Sequence, residues 1–164
     1  MSRANNEKLK AILREILGED GKIKAITQEE CFLIFKPGNH YTLCSIMNSL
    51  VNARLIPKSP LIEFIFTKEM LVEFYPKIAE KNFFETEFVP YMTSGPCYLG
   101  IFRGFNIMED LLTLIGPETN PHKNSSNTLR YRFGEDKMKN CIHCPKTEEE
   151  KNAQYELLKK WGLI

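Results

Sequence analysis

The 164-residue sequence has no apolar run near the roughly 20 residues that a membrane-spanning helix needs, which argues against a span. It also lacks a dominant charge. With 22 Lys and Arg against 21 Asp and Glu, the net charge is +1. The electrostatic footprint of a nucleic-acid or membrane-surface protein is therefore missing. No glycine-rich phosphate loop is present, which excludes a P-loop nucleotidase. Internal repeats and low-complexity stretches are absent too. The five cysteines (31, 44, 97, 141 and 144) are odd in number and follow no secretory start. They read as reduced thiols of an intracellular, cytoplasmic protein. Cys141 and Cys144 form the one close pair, and no second pair exists to complete a four-ligand zinc site. They read as ordinary thiols.

What is there is an ordinary globular composition, 43% hydrophobic and 26% charged, enough for one core. Residues 5–18 carry Leu9, Ile12, Leu13, Ile16 and Leu17 at helical spacing, stopped by Gly18. This helix either packs on its own domain or docks a protein partner. A polar connector follows to residue 30. Cys31 to Phe35 is a continuous apolar run, hence a buried central strand, ending at Lys36-Pro37-Gly38. The spacing predicts a helix over 41–53, a strand over 61–66, and a helix capped by Thr67. Helical segments then run to Met92, with a strand over 97–103 and a helix over 107–115 ending at Gly116. A polar loop spans 118–128; loops of that length are usually functional. A last strand at Cys141 and a helix over 147–161 close the chain. Elements in this order suggest an α+β sandwich, a mostly antiparallel sheet covered by helices.

The stretch Asn140-Cys141-Ile142-His143-Cys144 carries the reactive groups. If it is extended, Cys141 and His143 share one face and Ile142 takes the other. On pattern alone His143 is a nucleophile, a metal ligand or a core histidine. Lys36, Arg130 and Arg132 are cations that suit phosphoryl transfer to an imidazole.

Several motifs occur together in order: Phe35-Lys36-Pro37, Tyr75 ahead of Phe83-Phe84, and Tyr91-Met92-Thr93-Ser94-Gly95-Pro96. Gly116-Pro117-Glu118-Thr119-Asn120-Pro121, Thr128-Leu129-Arg130 and Asn140-Cys141-Ile142-His143 follow. In these the chain resembles the nucleoside diphosphate kinases. The resemblance implies a ferredoxin-like α+β sandwich with a four-stranded sheet over residues 30–164, behind an N-terminal helical extension over 1–29. It implies ping-pong transfer of the γ-phosphate of a nucleoside triphosphate to a nucleoside diphosphate through a phosphohistidine at His143. Lys36 and Asn140 would bind the ribose, Arg130 and Thr119 the phosphates, and Tyr75 would flank the phosphoryl path. Phe84 would stack on the base, with Phe83 the alternative because the Tyr75-to-Tyr91 spacing is one residue longer than usual. Mg2+ would arrive with the nucleotide, with no metal ligand from the protein. Oligomers are also implied by the family's habit.

The departures from the family pattern are as legible. The second phosphate-binding arginine is Leu112, the serine after the histidine is Pro145, and Gly38 replaces an aspartate. The carboxylate that orients the histidine ring has candidates in Glu148, Glu149, Glu150 and Glu156. Removing one preorganised donor costs about 100- to 1000-fold in comparable sites. Reduced activity is therefore one expectation. Pro117 and the His143-Cys144 pair resemble a divergent branch often found in cilia and flagella. The other expectation is accordingly a weakly active or inactive module docked in an assembly such as an axoneme.

Overall fold

The computed structural model describes residues 28–38 and 40–164. The helix expected over 5–18, and with it nearly all of the 1–29 extension, lies outside them. Strand β1 (Glu29–Phe35) is followed by helix α1 (His40–Asn52), strand β2 (Ile62–Phe64), and helices α2 (Lys68–Phe74) and α3 (Pro76–Ala79). A π-helical turn (Phe84–Phe88) leads into α4 (Val89–Met92) and strand β3 (Cys97–Gly104). Then come α5 (Ile107–Ile115), a 3-10 turn (Pro121–Lys123), α6 (Leu129–Phe133), strand β4 (Ile142–His143) and α7 (Glu148–Lys160). The sheet order is β2-β3-β1-β4, and every pairing is antiparallel.

The apolar run of β1 is explained by its place. It lies between β3 and β4, and both faces are covered, so Cys31 to Phe35 are all buried. Alternation sends Phe32 and Ile34 to one core, with Phe74, Phe88 and Leu158. Leu33 and Phe35 go to the other, with Ile46 and Leu50 of α1 and Leu111 and Ile115 of α5. The four-stranded α+β sandwich anticipated from the sequence is thus observed.

Two local expectations are corrected. Cys141 is not extended; its φ is 62°, and the Ile142 N–H donates to the Asn140 carbonyl at 2.8 Å. This tight reversal breaks the alternation. Cys141 packs with Ile142 and Cys144 on one side of the sheet, and His143 meets Phe32, Phe74 and Tyr75 on the other. The expected strand over 61–66 is only three residues long, because β2 is an edge strand that pairs on one side alone.

Candidate functional site

At the edge of the Phe32 face, where β4 meets α2, α6 and α7, lies a cavity of about 660 Å3. Its lining includes Lys36, Tyr75, Thr119, Arg130, Asn140 and His143. These six were anticipated from the sequence, and the fold brings them together although they span more than a hundred positions of chain.

His143 is held by pairing of β4 with Ile34 and by three rings, Phe74 at 5.2 Å, Tyr75 at 5.4 Å and Phe32 at 6.1 Å. Its Nε2 lies 2.8 Å from the Gln154 side-chain oxygen. The Gln154 amide nitrogen donates to the Phe74 carbonyl at 3.5 Å and to the Glu150 carboxylate at 3.4 Å, so its oxygen is the atom left to face the ring. The imidazole proton therefore sits on Nε2, and Nδ1 keeps its lone pair with no hydrogen bond among the described residues. Burial pushes the His143 pKa down to about 3; the Gln154 hydrogen bond works against this, while the charges of Lys36, Arg130 and Lys146 add to it. The ring is neutral at physiological pH.

Gln154 had no sequence signal as an amide, since a carboxylate was sought. Glu150, one of the acidic candidates, acts one step removed. One of its oxygens accepts from Gln154 and the other from the Lys146 backbone N–H at 2.8 Å. Thr147 caps α7 by accepting from the Glu150 N–H.

Arg130 is 3% exposed. Helix α6, capped by the Thr128 hydroxyl, turns its guanidinium inward. It donates to the Gly116 carbonyl at 2.7 Å and the Ile142 carbonyl at 3.0 Å, joining the loop after α5 to β4. Gly116 has φ 101°, and a Cβ there would stand 2.6 Å from the Asn124 side-chain oxygen. Asn124 organises the polar loop, accepting from the Glu118 N–H and donating to the Glu118 and Asn120 carbonyls. It was not anticipated.

Lys36 follows β1 directly, and its ammonium donates to the Met138 carbonyl at 2.8 Å. Burial, followed by the nearby Arg130 charge, lowers its pKa to about 7. Asn140 donates to the Thr119 and Lys137 carbonyls, both at 3.1 Å. Burial holds the Tyr75 hydroxyl protonated. Three buried polar atoms on these residues have no partner: the Tyr75 hydroxyl, the Arg130 Nε and the Asn140 side-chain oxygen. Orphans are rare in native structures, and these three sit on residues that line one cavity.

Phe84 is the exception. It is 2% exposed, stacked on Phe88 at 6.0 Å inside the core, and outside the cavity lining. Its neighbour Phe83 is 37% exposed and is likewise outside the cavity lining. The extra residue between Tyr75 and Tyr91 is taken up beyond Phe83, where the Phe88 N–H reaches back to the Phe83 carbonyl. Leu112 packs against the core beneath α5 and supplies no charge to the cavity. Burial pushes the Cys141 thiol up to about 12. The Cys144 thiol is pushed up as well, first by its hydrogen bond with Cys31 and then by burial. Neither offers a ready thiolate. Arg132 packs over Phe133, 4.9 Å from the ring, and is not part of the cavity.

The nucleoside diphosphate kinase family model matches residues 29–160. The chain belongs to this family. It is 38% identical over 96 residues to the nucleoside diphosphate kinase of Aquifex aeolicus, a match covering 57% of this chain and 66% of that one. It is 29% identical over 130 residues to the enzyme of Methylobacterium radiotolerans, covering 79% of this chain and 90% of that one. Among solved structures, the Aquifex aeolicus kinase superimposes with a TM-score of 0.70 at 29% identity, over 80% of this chain and 95% of that one. The apo kinase of Encephalitozoon cuniculi gives 0.70 at 27% identity, over 79% and 87%. The first matched residue, Glu29, is also the first of β1. Among the described residues no helix is long and apolar enough to cross a membrane.

Proposed function

We propose that the chain is a nucleoside diphosphate kinase that works through a phosphohistidine at His143. The observation that carries this is the pairing of a neutral imidazole, its Nδ1 free, with three orphaned polar atoms around the same cavity. A nucleoside polyphosphate supplies what the orphans lack. Its phosphate oxygens accept from the Arg130 Nε, and its ribose hydroxyls donate to the Asn140 oxygen. The Tyr75 hydroxyl lies in the same wall.

Transfer then needs no protein metal cage. Nδ1 of His143 attacks the γ-phosphorus, and a P–N bond forms as the bond to the bridging oxygen breaks. The diphosphate leaves with that electron pair. A second nucleoside diphosphate attacks the phosphohistidine through its terminal oxygen, breaking the P–N bond and restoring the ring. Gln154 keeps the proton on Nε2 throughout. Lys36 and Arg130 hold charge on the transferring oxygens. Among the described residues no three His, Cys, Asp or Glu side chains gather to hold a metal. The cations of the lining fit the polyphosphate, and Mg2+ delivered on it would neutralise further phosphate charge. Of the two adjacent rings, Phe83, exposed beyond the lining, is the one open to a base, while Phe84 is enclosed in the core.

The test is purified protein with Mg2+ and γ-labelled ATP, beside His143→Ala, followed by a diphosphate chase. Acid-labile label on the wild type alone, discharged by the diphosphate, is the expected result. No label on folded protein at saturating ATP overturns the reading.

A further inference from the structure

The position at which the family resemblance implies a second phosphate-binding arginine is Leu112, which packs against the core and does not line the cavity. The cavity lining nevertheless holds a further cation. Lys146 is exposed, lines the cavity, and extends its Nζ to 3.5 Å from the Thr119 hydroxyl oxygen. We infer that Lys146 is a phosphate-binding residue of this chain, holding a terminal phosphate of a nucleoside di- or triphosphate at Thr119 in place of the missing arginine. The inference rests on the nucleotide-binding reading given above.

The carboxylates around Lys146 are otherwise engaged. Glu150 spends one oxygen on the Lys146 backbone N–H and the other on Gln154. Glu73 is paired with Lys160 at 2.8 Å. The Glu149 carboxyl is held below its ordinary value, first by its own backbone N–H and then by the Thr147 hydroxyl. Among the described residues the Lys146 ammonium has no ion-pair partner, and its one hydrogen bond is the long one to Thr119. Its charge is nevertheless felt at the reacting ring, where it adds to the forces holding His143 neutral.

The backbone that carries Lys146 is fixed. Pro145 before it is buried and locks its own φ, and the Lys146 N–H is anchored on α7 through Glu150. The Pro145 substitution, which removes a hydroxyl, therefore also stiffens the turn that aims the next side chain over the cavity mouth. A lysine is a compact charge on a flexible stem and can reach a phosphate from a new direction, although without the two-pronged grip of arginine.

The experiment compares binding of ADP and of adenosine to the full chain by calorimetry, for wild type, Lys146→Ala and Lys146→Arg. A charged hydrogen bond of this kind predicts roughly tenfold or greater weakening of ADP in Lys146→Ala. Adenosine affinity stays unchanged, and Lys146→Arg stays close to wild type. Because the site is exposed, the ADP difference shrinks as salt rises. Equal ADP affinity for wild type and Lys146→Ala overturns the inference. So does an equal loss for ADP and adenosine, which marks a structural effect. Phosphohistidine labelling separates the two readings: a wild type that binds ADP but takes no label overturns the kinase reading, and the Lys146 comparison is still decided by binding.

Discussion

The side-chain oxygen of Gln154 lies 2.8 Å from Nε2 of His143, where the family resemblance had called for a carboxylate. An amide fixes the tautomer as well as a carboxylate does, but adds no negative charge to balance a cationic ring. Gln154→Ala should free the ring and lower the rate of phosphohistidine formation on the order of 10- to 100-fold, as loss of an imidazole's hydrogen-bonded partner does elsewhere. Gln154→Glu should raise the His143 pKa from about 3, since an adjacent carboxylate favours the imidazolium. Single-turnover labelling checks the first and an NMR titration of the ring the second. An unmoved titration in Gln154→Glu would show that the contact does not govern the ring's charge.

The same burial makes His143 a liability in acid. Its pKa is near 3 in the folded chain and near the ordinary 6.5 when unfolded. Between those values the unfolded state takes up a proton that the folded state refuses. Stability therefore falls as pH drops through that window, by about 1.4 kcal/mol per pH unit. From pH 6.5 to pH 5 the loss is about 2 kcal/mol. His143→Gln should remove that part of the slope. Urea unfolding of both proteins at pH 7 and pH 5 gives the answer, and parallel losses in the two would contradict it.

Lys36 makes a prediction of opposite character, about binding. With its pKa held near 7 by burial and Arg130, the free protein loses this charge as pH rises past neutrality. A bound polyphosphate restores it, so nucleotide binding takes up a proton there. Affinity should fall above pH 7 with a slope approaching tenfold per unit. Calorimetry in buffers of different ionisation enthalpy measures the uptake directly. Lys36→Met should bind more weakly at pH 6.5 and show a flatter profile.

The periodic parts of this fold were open to sequence reading because burial imposes them. The β1 run is apolar throughout since both of its faces are covered, and α1, α5 and α7 were each found within two residues of their expected ends. Motifs whose order survives divergence picked out Lys36, Tyr75, Thr119, Arg130, Asn140 and His143, which line one cavity, but not the right environment for Phe84. What escaped depends on contacts distant in sequence or on single backbone angles. Gln154 is recognisable only once α7 packs its amide against the ring. The left-handed Cys141 has no glycine or asparagine to announce it, and it puts Cys141 on the face opposite His143 instead of the same one. Asn124 looked like one polar residue among many in a loop, yet its side chain closes that loop around Gly116.

Phe83 and Phe84 are adjacent, alike in chemistry and opposite in surroundings. Phe84 is enclosed by the core and stacked on Phe88, so Phe84→Ala leaves a cavity and should cost about 3 to 5 kcal/mol of stability. Phe83 keeps 37% of its surface in solvent, so Phe83→Ala should cost far less. If Phe83 is the ring that meets the base, its loss should weaken ADP binding roughly tenfold, in the range of base–aromatic stacking. Inorganic pyrophosphate, which has no base, should bind both proteins alike. The two substitutions thus separate stability from recognition at neighbouring positions. Thermal unfolding reads the first effect and calorimetry the second. Full ADP affinity in Phe83→Ala would remove this ring from the nucleotide site, and the base would have to rest on the walls of the cavity itself.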